Sequence, residues 1–69
     1  MKVRVSYHGI RTVEIEVDDK FAEANSAWER GDNDTYEALT EELHQILAPQ
    51  IPGDICNVDD ENGELIYEL

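Results

Sequence analysis

Apolar and polar residues alternate from the first positions of the chain. Val3, Val5 and Tyr7 are interleaved with Lys2, Arg4 and Ser6, the two-residue period of a half-buried strand. Val13, Ile15 and Val17 alternate with Glu14 and Glu16 in the same way. His8-Gly9 lies between these runs, and glycine supplies the positive φ that a tight turn often needs. With Val5 opposite Val13, Arg4 faces Glu14 and Lys2 faces Glu16. With the register slipped by one pleat, Arg4 faces Glu16 instead. In both registers the apolar side chains share one face and opposite charges meet on the other.

The hydrophobic period then lengthens to that of a helix. Asp18 or Asp19 can cap a helix beginning at Lys20. Phe21, Ala24 and Trp28 form one helical stripe, and Gly31 is a stop signal just past Arg30. Asp32-Asn33-Asp34 leads into a second helix, where Asp34 and Glu37 fit a capping box. Tyr36, Leu39, Leu43, Ile46 and Leu47 make its core stripe, leaving Glu37, Glu41, His44 and Gln45 toward solvent. Pro49 ends this helix and Pro52-Gly53 makes a turn.

Two further strands are expected at Ile55 to Asp59 and Glu64 to Leu69, around an Asn62-Gly63 hairpin signal. Their pairing sets Val58 against Tyr67 and Cys56 against Leu69, with Asn57, Asp59, Glu64 and Glu68 on the opposite face. The order ββααββ predicts a single α+β domain over residues 1–69, an antiparallel sheet with two helices packed on one face. Trp28 and the three tyrosines Tyr7, Tyr36 and Tyr67 fall on core stripes and read as packing groups.

Length and composition narrow the class. The chain has 69 residues, enough for one modest core. Its single cysteine, Cys56, excludes an intramolecular disulfide and suits a reducing, cytoplasmic setting. No apolar run reaches the ~20 residues of a membrane helix. The alternating N-terminus lacks the continuous apolar stretch of a signal peptide. These features predict an intracellular protein, complete as this chain, with no membrane partner.

Charge changes the picture most. The formal net charge is −12, from 17 acids and 5 bases. All five bases (Lys2, Arg4, Arg11, Lys20 and Arg30) lie in the first 30 residues beside six acids, for a net of −1. Residues 31–69 hold eleven acids and no Lys or Arg. This half is uncompensated within itself, which destabilises a compact fold through self-repulsion while aiding solubility. Direct nucleic-acid binding is opposed, because phosphate contacts require Lys and Arg.

Motifs for chemistry are weak. Val58 to Leu69 has the length of a calcium loop, with Asp60, Asn62 and Gly63 at fitting positions. Its first and last positions, Val58 and Leu69, cannot ligate an ion, so a solvated hairpin tip is expected there. His8, His44 and Cys56 have none of the spacings of a zinc site, and nothing marks a base for a Cys–His nucleophile pair. Carboxylate pairs can be nominated freely among so many acids, which makes any one pair uninformative. A chain of this length rarely encloses a catalytic cleft. A protein that is not an enzyme, without metal or cofactor, is expected.

The remaining feature is the acidic second half. Eleven acids on a domain ~25 Å across approach the density of duplex DNA, which carries about one charge per 1.7 Å of axis. The candidate partner-binding residues are Asp32, Asp34, Glu37, Glu41, Asp59, Asp60, Glu61, Glu64 and Glu68, each suited to pairing with Arg or Lys that normally hold phosphates. In size, acidity and compact α+β layout the chain resembles the small phage-encoded DNA mimics, among them anti-CRISPR and anti-restriction proteins. That group shares no motif, so no residue is carried over from it. The resemblance implies a stoichiometric, cofactor-free inhibitor in the cytoplasm of a host cell. Its partner would be a basic DNA-binding protein, or a CRISPR or restriction complex whose DNA channel it occupies. The alternative is an interaction or adaptor module, such as an antitoxin or complex subunit. It would bind through an apolar surface or a strand edge, for instance Glu64 to Leu69.

Overall fold

The computed structural model describes residues 1–69. Strands β1 (Lys2–Tyr7) and β2 (Arg11–Glu16) are followed by a 3-10 turn (Asp19–Ala22) and helices α1 (Glu23–Glu29) and α2 (Asn33–Leu47). A second 3-10 turn (Ala48–Gln50) leads to β3 (Ile55–Asp59) and β4 (Leu65–Glu68). The order is ββααββ, as the hydrophobic pattern predicts. All neighbouring strands are antiparallel, in the spatial order β2-β1-β3-β4.

The first hairpin takes the register with Val5 opposite Val13, Arg4 opposite Glu14 and Lys2 opposite Glu16. Opposite charges therefore face each other, although neither pair closes to an ion pair. Glu16 instead holds the Met1 ammonium at 3.0 Å. Val3 and Val5 are fully buried, but β2 is an edge strand and only its Ile15 packs against the core. Val13, expected on the buried face, is 37% exposed. The core is drawn from β1, β3, β4, Phe21, Ala24 and the α2 residues Leu43 and Leu47.

The first helix is not one stripe. Asp18 caps it as expected, accepting a hydrogen bond from the Lys20 amide (2.8 Å). The cap opens a 3-10 turn, however, and α geometry begins only at Glu23. The tighter winding rotates later positions, so the buried set is Phe21, Ala24 and Ala27. Trp28, expected in the core, is 63% exposed.

The second helix starts two residues earlier than its capping-box signal. Asp32, not Asp34, is the N-cap, its carboxylate accepting from the Thr35 amide (3.2 Å). Asp34 stands in the first turn, where a negative charge complements the helix dipole. Leu43 and Leu47 are buried, but Ile46 is 41% exposed. It shares the flank of Glu42, which reaches Lys20 rather than the sheet. His44, expected toward solvent, turns its Nδ1 to the buried Tyr67 hydroxyl (3.0 Å).

The last hairpin pairs Val58 with Tyr67 as expected, and the Leu69 amide donates to the Cys56 carbonyl (2.9 Å). Its loop is longer by one residue than the two-residue turn that Asn62-Gly63 suggests. Asp60 and Glu64 close it through the Asp60 N–H to the Glu64 carbonyl (2.8 Å), and Gly63 takes φ +83°. The Asp60 Oδ1 atom accepts from the amides of Asn62 (2.8 Å) and Glu64 (2.9 Å), which fixes that turn. The register is restored by a shift between Val58 and Asp59 that leaves Ile66 unpaired in the ladder. Ile66 and Tyr67 are consequently both buried, while Leu69, expected on the core face, is 77% exposed.

Candidate functional site

The bulge at Ile66 shapes one side of the molecule. Ile66 is buried, and its carbonyl takes a donor from a side chain of α2. The Tyr36 hydroxyl of α2 donates to it at 2.6 Å. This bond ties α2 to β4 and stands Tyr36 upright between them. Burial, with the Glu68 carboxylate nearby, raises the Tyr36 phenol above its ordinary pKa. Trp28 of α1 packs on the Tyr36 ring with centroids 5.0 Å apart. Tyr67, beneath, is pushed up to about 12 by burial alone.

Four shallow depressions follow the β4 side and share walls. The first, between α1 and the β3–β4 turn, includes Glu29, Asp60, Glu61 and Glu64. It shares Asn25 and Ile66 with the second, where Trp28, Tyr36, Leu65 and Glu68 meet. Tyr67 links the second to the third, which has Glu37 and Glu41 of α2 on its rim. His44 and Leu69 join the third to the fourth, which ends at Asp54. The result is a continuous track bordered by eight carboxylates and no Lys or Arg.

The Lys and Arg side chains are disposed elsewhere. Lys2, Arg4 and Arg11 are on the first hairpin. Lys20 is bound to Glu42, and Arg30 to Glu23 (2.6 Å) and Asp32 (3.5 Å). Met1 does line the first depression, with its ammonium held by Asp19 (2.7 Å) and Glu16. Along the track, Glu29, Glu37, Glu41, Asp54, Glu64 and Glu68 enter no ion pair.

The sequence-nominated acids divide on this frame. Glu37, Glu41, Asp60, Glu61, Glu64 and Glu68 are brought together along the track. Two of them also serve the fold: Asp60 holds the turn, and Glu61 accepts the Lys2 amide (2.8 Å). Three lie off the track. Asp32 caps α2 and meets Arg30, and the amide and hydroxyl of Thr35 with that guanidinium hold its pKa below the ordinary range. Asp34 sits in the first turn of α2. Asp59 stands opposite Arg4 across β1 and β3.

Sequence reading missed Glu29, Asp54 and Trp28. Glu29 was counted with the balanced first half. Asp54 follows Pro52-Gly53 with no periodic signal. Trp28 was assigned to the core by helical spacing.

No group of three or more His, Cys, Asp or Glu side chains is arranged to hold a metal ion. No buried side-chain nitrogen or oxygen lacks a hydrogen-bond partner. No helix is long and apolar enough to cross a membrane. No protein-family model, curated protein sequence or solved structure matches the chain.

Proposed function

We propose that this protein is a non-catalytic inhibitor that mimics nucleic-acid charge and occupies the basic DNA-binding surface of a host defence complex. The observation that carries this reading is the β4 track, eight carboxylates long and free of Lys and Arg. The molecule is 32 Å along its longest axis. One DNA strand places a phosphate every ~3.4 Å, about nine over that length. Eight carboxylates on a molecule of that length come close to the charge count of a single strand, and well below that of the duplex. Most of its carboxylates stand on α2, α1 and the last hairpin, elements that a packed core holds in place, so little order is lost when Arg and Lys side chains meet them.

The test is a charge-reversed variant, with Glu37, Glu41, Glu64 and Glu68 changed together to Lys. Asp60 is left in place because it holds the hairpin. Wild type bound to a basic partner should block that partner's DNA binding at one-to-one stoichiometry, release it as salt rises, and lose the effect in the variant. Undiminished inhibition by the variant refutes the reading.

A second reading, an interaction module binding by strand addition or apolar contact, is favoured by the opposite edge. β2 is unpaired on its outer side, and Ile10 (91% exposed) and Val13 are open on that hairpin. Partner binding by this edge would be indifferent to salt and would be lost in Val13→Lys. At β4, the edge first suggested by the sequence, the Ile66 carbonyl is already taken by Tyr36.

A further inference from the structure

We propose that Trp28 is the anchor of the acidic track, a stacking platform for an arginine carried on a segment of a basic partner protein. This rests on the reading of the track as a surface for such a partner. Trp28 is the chain's only tryptophan, and 63% of it is exposed at the centre of the track. Its ring packs at a tilt of 50° against Tyr36, whose own hydroxyl is fixed on Ile66. The indole is thus steadied on one side while most of it stays exposed. Trp28 and Tyr36 together line a depression of about 340 Å³ that includes Leu65 and Glu68. Leu65 is itself 48% exposed, so an apolar floor sits within an acidic rim.

This combination suits a guanidinium better than other occupants. A guanidinium is planar, weakly hydrated and attracted to an indole face, and its edge can meet a carboxylate while its plane stacks. Glu68 lines the same depression, and Glu29 follows Trp28 in the chain and borders the next. The nearest cation of the protein, Arg30, is occupied by Glu23 and Asp32 and does not compete. A second copy of this chain is a poor occupant, because it brings a net charge of −12 to an acidic surface. An anionic ligand is opposed by the rim.

The experiment uses two probes, an oligo-arginine and an oligo-lysine peptide of equal length and charge, both free of aromatic residues. Trp28 emission and calorimetry report binding to the intact protein. The arginine peptide should bind about three- to tenfold tighter and shift the emission. Trp28→Ala should bring its affinity down to that of the lysine peptide, whose own affinity stays unchanged. Trp28→Phe should keep part of the preference, and circular dichroism checks that both variants are folded. Equal, salt-sensitive binding of both peptides with unchanged emission would leave the acidic surface standing and overturn the anchor. Absence of binding by either peptide at low salt would overturn the surface reading itself, and the anchor with it.

Discussion

Asp60 was nominated as a partner contact but is built into the fold, and this makes a sharp prediction. Its Oδ1 atom accepts two backbone amides, from Asn62 and Glu64, and its Oδ2 atom accepts weakly from Asn25 Nδ2 (3.4 Å). Asp60→Ala removes all three hydrogen bonds. A net hydrogen bond contributes roughly 1 kcal/mol, and more to a charged acceptor when buried. The turn is largely exposed, so the lower value applies to the two short bonds, giving a loss of about 2 kcal/mol. A domain of this size holds only about 3–10 kcal/mol in total. At roughly 4–8 °C per kcal/mol, the melting temperature should fall by about 8–16 °C. Asp60→Asn is the control, because it removes the same charge but keeps an oxygen at the same place. Removing one carboxylate from a protein of net charge −12 relieves some repulsion in both variants, so their difference isolates hydrogen-bond acceptance. Thermal and urea unfolding followed by circular dichroism measure it. Alanine and asparagine variants within about 0.5 kcal/mol of each other would refute the account of the turn.

Two further predictions follow from other contacts. Tyr36→Phe removes the hydroxyl that donates to the Ile66 carbonyl and should cost about 1–2 kcal/mol in urea unfolding; a change of only a few tenths would refute a structural role for this bond. The Met1 α-ammonium is raised from 8.0 to about 10, chiefly by its hydrogen bond to Asp19 and then by that to Glu16. A raised cation stabilises the fold fully below its unfolded pKa and loses that effect as pH rises through the folded one. The unmodified protein should therefore outmelt an α-amino-acetylated form below pH 8, and the gap should close as pH approaches about 10; a constant gap across that window would contradict the ion-pair assignment.

The parts of this fold that were legible in the sequence are those fixed by local alternation. The faces of β1 and β2 and the boundaries of β3 follow from which residues must lie together, because a slip of one residue would expose Val3 and Val5. Alternation leaves the Val5–Val13 register and the one slipped by two residues equally open. Helical spacing failed at Trp28 because the preceding turn is 3-10, and the change of winding depends on how Phe21 seats in the core. The Asn62-Gly63 signal gave a turn of the wrong length because a side chain, Asp60, competes with the two-residue geometry. The track was only half legible. Counting charges located the acidic half of the chain, but Glu29 and Asp54 join it solely through tertiary packing. Asp32 and Asp59 leave it because Arg30 and Arg4 come near.

The placement of β1 and β2 at one side of the sheet and β4 at the other has a consequence for how the molecule travels. Lys2, Arg4 and Arg11 lie on the β1–β2 hairpin beside Glu14 and Glu16, whereas the acidic track follows the β4 side without Lys or Arg. The negative charge is thus unevenly placed over the surface. In the field of a cationic cleft the protein experiences a torque as well as a pull, acting once the separation falls to about 10 Å at ordinary ionic strength. If the proposed cationic partner exists, orientation would be selected during approach, with the β4 side leading and the β1–β2 hairpin trailing outward, before any side chain touched it.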